Sequence, residues 1–321
     1  MKATLGVVVN PTAGAGRGKD RGARALKMLG DLGYGIVDFS AQDFWHAEVG
    51  ARQGMVDGID ALVVVGGDGM VHLGVNLMAT TNLPLGIVAE GTGNDISRGL
   101  GLPVRDVARA VELIDQELTA GRSRQIDAVR VSDLTHHGMS EWYVGVLSAG
   151  FDAAVNATTN QLTWPSGSPR YVRALLGELK RLTPYGYRLE VDGKVTEFAG
   201  TLVAVANGPA FGGGMLISPD SAFDDGVLDI VAADPLTRRE LLAVFPRVYK
   251  GTHLSHPAVW TARGKCVTIS PLESAGAPPP IAYADGEPLG PLPLRCEVVP
   301  QALRVLAPAP AGYADGRDKS G

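Results

Sequence analysis

The chain has 321 residues, 45% of them apolar, and a formal net charge of −5; this sets an expectation of about two domains with an ample core and argues against nucleic acid as a partner. No apolar run approaches the ~18 residues of a membrane-spanning helix. The cysteines, Cys266 and Cys296, show neither metal-ligand spacing nor a disulfide framework, so the expected location is cytosolic.

The apolar start Leu5-Gly6-Val7-Val8-Val9 is cut by Asn10-Pro11. It is too short for a signal peptide and reads as a first strand, residues 4–10. A helix over 17–32 follows, then strands at 35–39, 61–65 and 85–89, with a helix over 71–79 between the last two. Residues 105–120 form a clear helix, with Val107, Val111, Ile114 and Leu118 on one side. Strands alternating with helices imply a parallel sheet with ligands at the carboxyl ends of its strands. After residue 124 the texture becomes β-rich, with strands at 127–131, 143–149, 187–191, 196–207, 227–232, 265–270 and 294–299. Val191-Asp192-Gly193-Lys194-Val195 is a hairpin signal. Helices are expected only at 170–182 and 237–249, the second kinked or cut short by Pro246. The expected organisation is an α/β domain, doubly wound, over 1–125, and a β-sandwich over 126–306. A disordered tail, 307–321, completes it.

Glycine turns carry the chemistry. Asn10-Pro11-Thr12-Ala13-Gly14 and Gly66-Gly67-Asp68-Gly69 each follow a strand and precede a helix. Glycine lets backbone approach a polyphosphate, and amides at a helix start carry partial positive charge. Gly91-Thr92-Gly93-Asn94-Asp95 extends the pattern. The region around Lys19 fits neither the Walker A pattern nor G-x-G-x-x-G. An Asn-Pro-x-x-Gly turn alone is ordinary structure, whereas Gly-Gly-Asp-Gly after a buried strand makes a phosphate-sized concavity. An aspartate there implies Mg²⁺ or a water network to offset repulsion; the plain alternative is a β-turn aspartate.

With Gly150-Phe151-Asp152-Ala153 and Asp285-Gly286-Glu287 added in order, the chain resembles the diacylglycerol kinase catalytic family, which includes sphingosine and ceramide kinases. The resemblance spans residues 4 to about 306. NAD kinases and phosphofructokinases share the Gly-Gly-Asp-Gly signature; the late Asp-Gly-Glu and the β-rich second half favour lipid kinases. The resemblance implies an N-terminal nucleotide-binding domain, a C-terminal β-sandwich and a site in the cleft between them. It places Asn10, Pro11, Thr12, Ala13, Gly14, Gly66, Gly67, Asp68, Gly69, Thr92 and Asn94 at ATP, with Ser40 as a further nucleotide contact. Met70 departs from the family's usual threonine, and a thioether cannot donate a hydrogen bond to phosphate. Backbone amides or His72 would then supply the contact; Asn76 matches the pattern.

Phosphoryl transfer to an alcohol needs a group that accepts the hydroxyl proton. The resemblance points to Glu287, with Asp285 as base or partner; the two roles are not separable from sequence, and a simple hairpin turn is the alternative. It further implies a structural Mg²⁺ held by Asp225 and the carbonyls of Ala222 and Val227, joined through water to Asp68, Asp95 and Asp127. His136-His137 reads as solvent loop. The basic stretch Arg170, Arg173, Lys180, Arg181 and Arg188, with Trp164 and Pro165 before it, is either an ordinary amphipathic helix or a surface for an anionic bilayer. Phe211-Gly212-Gly213-Gly214-Met215 would line a lipid entrance or simply pack.

The expectation is an ATP- and Mg²⁺-dependent kinase that phosphorylates diacylglycerol to phosphatidic acid. It would work from the cytoplasm with transient peripheral contact at the inner face of the membrane. A homodimer is compatible with this. The alternatives are a kinase of a sphingoid base or glycolipid, an NAD kinase, and a non-catalytic nucleotide-binding regulator.

Overall fold

The computed structural model describes residues 2–10, 18–41, 44–135, 140–162, 164 and 168–309. It divides into two units, residues 1–126 with 303–321, and residues 127–302.

In the first unit, β1 (Thr4–Val9), β2 (Gly35–Asp38), β3 (Ala61–Gly66) and β4 (Pro84–Ala89) pair in parallel in the order β2-β1-β3-β4. β3 is buried at every position, as a strand covered on both faces must be. The helices are α1 (Gly18–Asp31), α2 (Phe44–Asp57), α3 (Asp68–Met78), α4 (Asp95–Gly99) and α5 (Val107–Thr119). Ala25 and Leu29 of α1 and Val111 and Ile114 of α5 pack with Leu5, Val7 and Val63 of the sheet. Asp106 caps α5 by accepting the Arg109 N–H at 3.1 Å.

The short helix α4 and the longer α2 were not expected. Two glycines in α2 weaken its helical signal, and both serve a tertiary contact. Gly50 lies under Phe39, and a Cβ on Gly54 would overlap the Phe39 ring.

The second unit follows as β5 (Arg124–Asp133), β6 (Ser140–Tyr143), β7 (Val146–Gly150), α6 (Phe151–Gln161), α7 (Ser168–Leu179), β8 (Tyr185–Val191), β9 (Lys194–Gly200) and β10 (Leu202–Ala206). It continues with β11 (Leu228–Ala233), α8 (Arg238–Val248), β12 (Val259–Gly264), β13 (Cys266–Pro271), β14 (Ala282–Ala284), β15 (Glu287–Gly290) and β16 (Leu294–Val305). One sheet contains β6-β5-β16-β13-β8-β9; the other runs β12-β11-β10-β7-β14-β15. Tyr143, Leu147, Tyr187, Val205, Ile230 and Leu294 meet in the sandwich core.

Several expected strands end differently. The run at 143–149 becomes β6 and β7, and the run at 196–207 becomes β9 and β10 with a break at Thr201. Helix α6 was unexpected; its Asn and Thr residues are poor helix formers. The 191–195 hairpin forms, with Asp192 and Gly193 at φ 48° and 84° and Val191 opposite Lys194. Helix α8 passes Pro246 and ends at Val248; Thr237 and Glu240 make a reciprocal cap at its start. The end of β16 returns to the first unit, where Arg304 and Val305 lie parallel to Pro84 and Leu85. Leu306 and Ala307 are buried, so the expected tail does not begin at 307; residues 310–321 lie outside the described residues.

Candidate active site

The residues expected to face the nucleotide belong to the first unit. β1, β3 and β4 end side by side. The Asn10 N–H donates to Val65 O at 3.0 Å, and the Glu90 N–H to Gly66 O at 2.7 Å. These bonds align the ends of the three strands along one edge of the sheet. Pro11, Thr12, Ala13 and Gly14 lie outside the described residues. Gly66-Gly67 leads directly into α3, which starts without a side-chain cap, and amides at a helix start suit an anion.

The second and third turns are locked together. A Cβ on Gly91 would overlap the Gly67 backbone, so the close approach requires glycine. The Asp68 carboxylate accepts the Asn94 N–H at 2.7 Å and the Asp95 N–H at 2.9 Å. This supplies a partner for its charge that the sequence did not reveal. Asn94 is buried and left-handed, at φ 56°. Its amide side chain accepts the Gly91 N–H and donates to Gly91 O, both at 2.9 Å. Asp95 opens α4 and pairs with Arg98 at 3.2 Å. Thr92 is exposed, leaving its hydroxyl accessible to a ligand.

Ser40 closes this edge. Its Oγ accepts the Val9 N–H at 2.9 Å, while its own hydroxyl hydrogen remains able to donate. Met70 is 3% exposed and packs its side chain against Gly66, so it belongs to the core of the turn. Asn76 donates to His72 O at 3.0 Å within α3.

Two supports were missed. Arg105 donates to Gly91 O at 3.3 Å and to Thr92 O at 3.1 Å, clamping the third turn. Arg21 forms an ion pair with buried Glu90. Burial raises the Glu90 carboxyl above its usual range, against the pull of Arg21 and Arg105. No local motif marks either residue; only the folded turn brings them together.

The Asp285-Gly286-Glu287 hairpin lies in the second unit. Asp285 and Gly286 adopt φ 53° and 90°, and Ala284 pairs with Glu287, as a two-residue hairpin requires. The Asp285 side chain accepts the N–H groups of Val144, Gly145 and Val146 at 3.0, 3.0 and 3.1 Å. These bonds explain why 143–149 is two strands: the amides between β6 and β7 turn to a carboxylate. Glu287, two residues on, opens β15 and is half-buried. Asn207, with no motif to announce it, ties the same loop from behind. It donates to Val144 O at 2.9 Å and Asp127 O at 3.3 Å.

Asp127 is also engaged by backbone. It accepts the Gly226 N–H at 2.7 Å and the Gln301 N–H at 2.8 Å. Burial pushes its carboxyl up, Asp225 and Asp224 add to that, and the two amides oppose it. Asp225 accepts the Val227 N–H at 3.2 Å and pairs with Arg263 at 2.5 Å; Arg263 also holds Asp229 at 2.7 Å. The pairing follows from register, since Asp229 stands opposite Arg263 across β11 and β12. Asp225, Ala222 and Val227 offer oxygens of the kind Mg²⁺ takes. The carboxylate among them is paired with the exposed guanidinium of Arg263, which a divalent cation would have to displace. Among the described residues no cluster of three or more His, Cys, Asp or Glu is placed to hold a metal.

Gly150-Phe151-Asp152-Ala153 joins β7 to α6 beside an apolar cavity of about 60 Å³. Its walls include Phe151, Tyr171, Leu175, Phe211, Met215 and Phe245. Met215 pairs with Phe211 through two backbone hydrogen bonds, which places the triple-glycine turn on this cavity. Asp152 also lines it with both carboxyl oxygens buried and without a hydrogen-bond partner, and burial pushes its carboxyl up to about 6. His136, His137 and Pro165 lie outside the described residues.

Comparisons with known proteins match both parts of the chain. A family model described as the diacylglycerol kinase catalytic domain matches residues 4–131. A second, described as a YegS C-terminal NAD kinase beta sandwich-like domain, matches residues 145–307. A diacylglycerol kinase of Mycobacterium tuberculosis (strain ATCC 25618 / H37Rv) is 36% identical over 302 residues, 94% of each chain. One of Staphylococcus carnosus (strain TM300) is 25% identical over 311 residues, 96% of each. A crystal structure of a diacylglycerol kinase from Bacillus anthracis str. Sterne shares the fold, with a TM-score of 0.70 and 22% identity, over 95% of this chain and 97% of that one.

Proposed function

Because this chain belongs to the diacylglycerol kinase family and is an ATP-dependent kinase, we propose that its acceptor is the free hydroxyl of diacylglycerol and its product phosphatidic acid. The observation that carries the reading is the division of labour in the Asp-Gly-Glu hairpin. Three amides occupy Asp285, while Glu287 beside it is left to the chemistry. Glu287 accepts the proton of the acceptor hydroxyl as that oxygen bonds to the γ-phosphorus; the bond to the β–γ bridging oxygen breaks, and ADP leaves with the electron pair.

The turns after β1, β3 and β4 hold the phosphates through backbone amides, and Ser40 and Thr92 add hydroxyl donors. A divalent cation accompanying ATP neutralises phosphate charge; the residues named here bind, orient and move the proton. The second unit receives the lipid. Its cavity, at about 60 Å³, is far below the roughly 300 Å³ of a typical small-molecule pocket, so it admits the end of an acyl chain unless its walls part. The reading places the protein in the cytoplasm, transiently at the inner face of the membrane. No helix among the described residues is long and apolar enough to cross a membrane.

The test is transfer from γ-labelled ATP with Mg²⁺ to diacylglycerol in mixed micelles, with a sphingoid base, a glycolipid and NAD in parallel. Labelled phosphatidic acid is the expected product. Label on NAD, or on another lipid alone, overturns the acceptor assignment.

A further inference from the structure

We infer that Asp152 is a specificity-determining contact for the acceptor, its carboxyl donating a hydrogen bond to an ester carbonyl of the lipid. The inference rests on the diacylglycerol reading and deepens it. Asp152 stands in the first turn of α6, on the wall of the apolar cavity. It is 6% exposed, and both its carboxyl oxygens are buried without a hydrogen-bond partner. Such a group in an apolar wall costs stability until a ligand completes it. The other polar side chains on the wall are Tyr171 and His253. The Tyr171 hydroxyl lies 3.9 Å from the Met215 sulfur. His253 donates from Nε2 to Ile217 O at 3.0 Å, which leaves Nδ1 an acceptor and no match for an ester. Register places Asp152 near the Asp-Gly-Glu hairpin. Ser148 of β7 lies next to Asp152 and stands opposite Tyr283 of β14. Ala284, the next residue, stands opposite Glu287 of β15. β7 and β15 thus flank β14, about 10 Å apart. A glycerol backbone with one ester spans that interval once the two acidic side chains reach inward.

Protonation chooses the complement. Besides Ser148, the groups facing Asp152 are the phenols of Tyr171 on α7 and of Tyr185 and Tyr187 on β8, and among the described residues no cation stands beside it. Glu178, the carboxylate of α7, is bonded by Thr158 at 2.8 Å instead. An acyl chain in the cavity excludes water and favours the neutral carboxyl further. A neutral carboxyl offers one O–H donor. Its complement is an acceptor with no proton of its own, and the ester is the polar group that an acyl chain carries. An amine would instead take the proton and pair with the carboxylate, the mark of a sphingoid base. Entry of the ester requires the cavity to widen beyond about 60 Å³. The wall suited to this is the Phe211–Met215 turn, whose three glycines all lie at positive φ and have more conformations open to them than other residues.

The test compares diacylglycerol with the dialkyl ether that keeps the free hydroxyl and lacks both carbonyls, in mixed micelles with the full chain. The wild type should show a KM about five-fold lower for the ester, with similar kcat for both lipids. Asp152→Leu should bring the two KM values together. Asp152→Asn, whose amide still donates, should keep most of the ratio. Raising the pH through about 6, where the carboxyl loses its proton, should shrink the wild-type ratio and leave that of Asp152→Asn unchanged. A merely structural role would move both lipids alike. Equal KM values in the wild type, or a ratio that survives Asp152→Leu, overturns the inference while transfer to diacylglycerol stands. So does a sphingoid base preferred over diacylglycerol and lost with Asp152→Asn, which would make an amine the ligand. No transfer to diacylglycerol by the wild type overturns the acceptor reading and this inference together. Should Asp152→Leu fail to fold, the wild-type ratio and the pH profile of Asp152→Asn decide.

Discussion

The two units carry the same device and use it for different ends. In the first unit Asp68 accepts two amide hydrogens and welds the second glycine turn to the third. In the second unit Asp285 accepts three and welds a hairpin to the loop between β6 and β7. In both, the aspartate of the motif is scaffold for its neighbours. Around Asp68 those neighbours are backbone donors suited to an anion. Beside Asp285 the neighbour is a carboxylate suited to a proton. A motif residue can therefore be obligatory without touching substrate.

Substitutions that strip each aspartate from its amides probe this parallel. The largest stability effect is expected from Asp285→Ala, which strands three N–H donors around a buried position and should cost about 3–5 kcal/mol. Asp68→Ala strands two at a less buried position and should cost about 2–3 kcal/mol, with weaker binding of an ATP analogue. Denaturant unfolding and calorimetric titration read both; equal, negligible losses would break the comparison.

Asp152 contrasts with both, because burial rather than backbone donors dominates it. Its folded pKa, about 6, lies above the ordinary aspartate value. Its stabilising contribution is therefore fully present below about pH 4 and is lost as pH rises through 6. Asp152→Asn should flatten stability between pH 4 and 7, by about 2–3 kcal/mol across that window. An unchanged pH profile would show that the cavity already hydrates the carboxylate.

The smallest effect is expected at Arg263, whose side chain is largely exposed and whose pairs contribute under ~1 kcal/mol. Arg263→Ala should barely move the melting temperature in the absence of Mg²⁺, yet should make it rise on adding Mg²⁺ without nucleotide. The wild type should show a smaller rise. Equal responses would place Mg²⁺ elsewhere.

Much of this was legible from sequence because it is local. Parallel strands announce themselves as buried Val runs, and the turns as glycine clusters. What stayed hidden depends on distant partners. Gly50 and Gly54 look like helix breakers until Phe39 is seen against them. Val144 and Gly145 look like strand until Asp285, some 140 residues on, takes their amides. Arg105, Glu90 and Asn207 act through contacts that no spacing encodes, and the return of β16 to the first unit is a matter of topology. Met70 departs from the family pattern at a position that the fold turns inward.

The central claim, that Asp285 holds the hairpin while Glu287 performs the proton transfer, is most directly tested by Glu287→Gln. Its turnover, ATP-analogue affinity and melting temperature should be measured together. The account predicts a loss of turnover of about 10²–10⁴-fold, with affinity and melting temperature unchanged. Near-normal turnover, or a fall in melting temperature like that of Asp285→Ala, would contradict it.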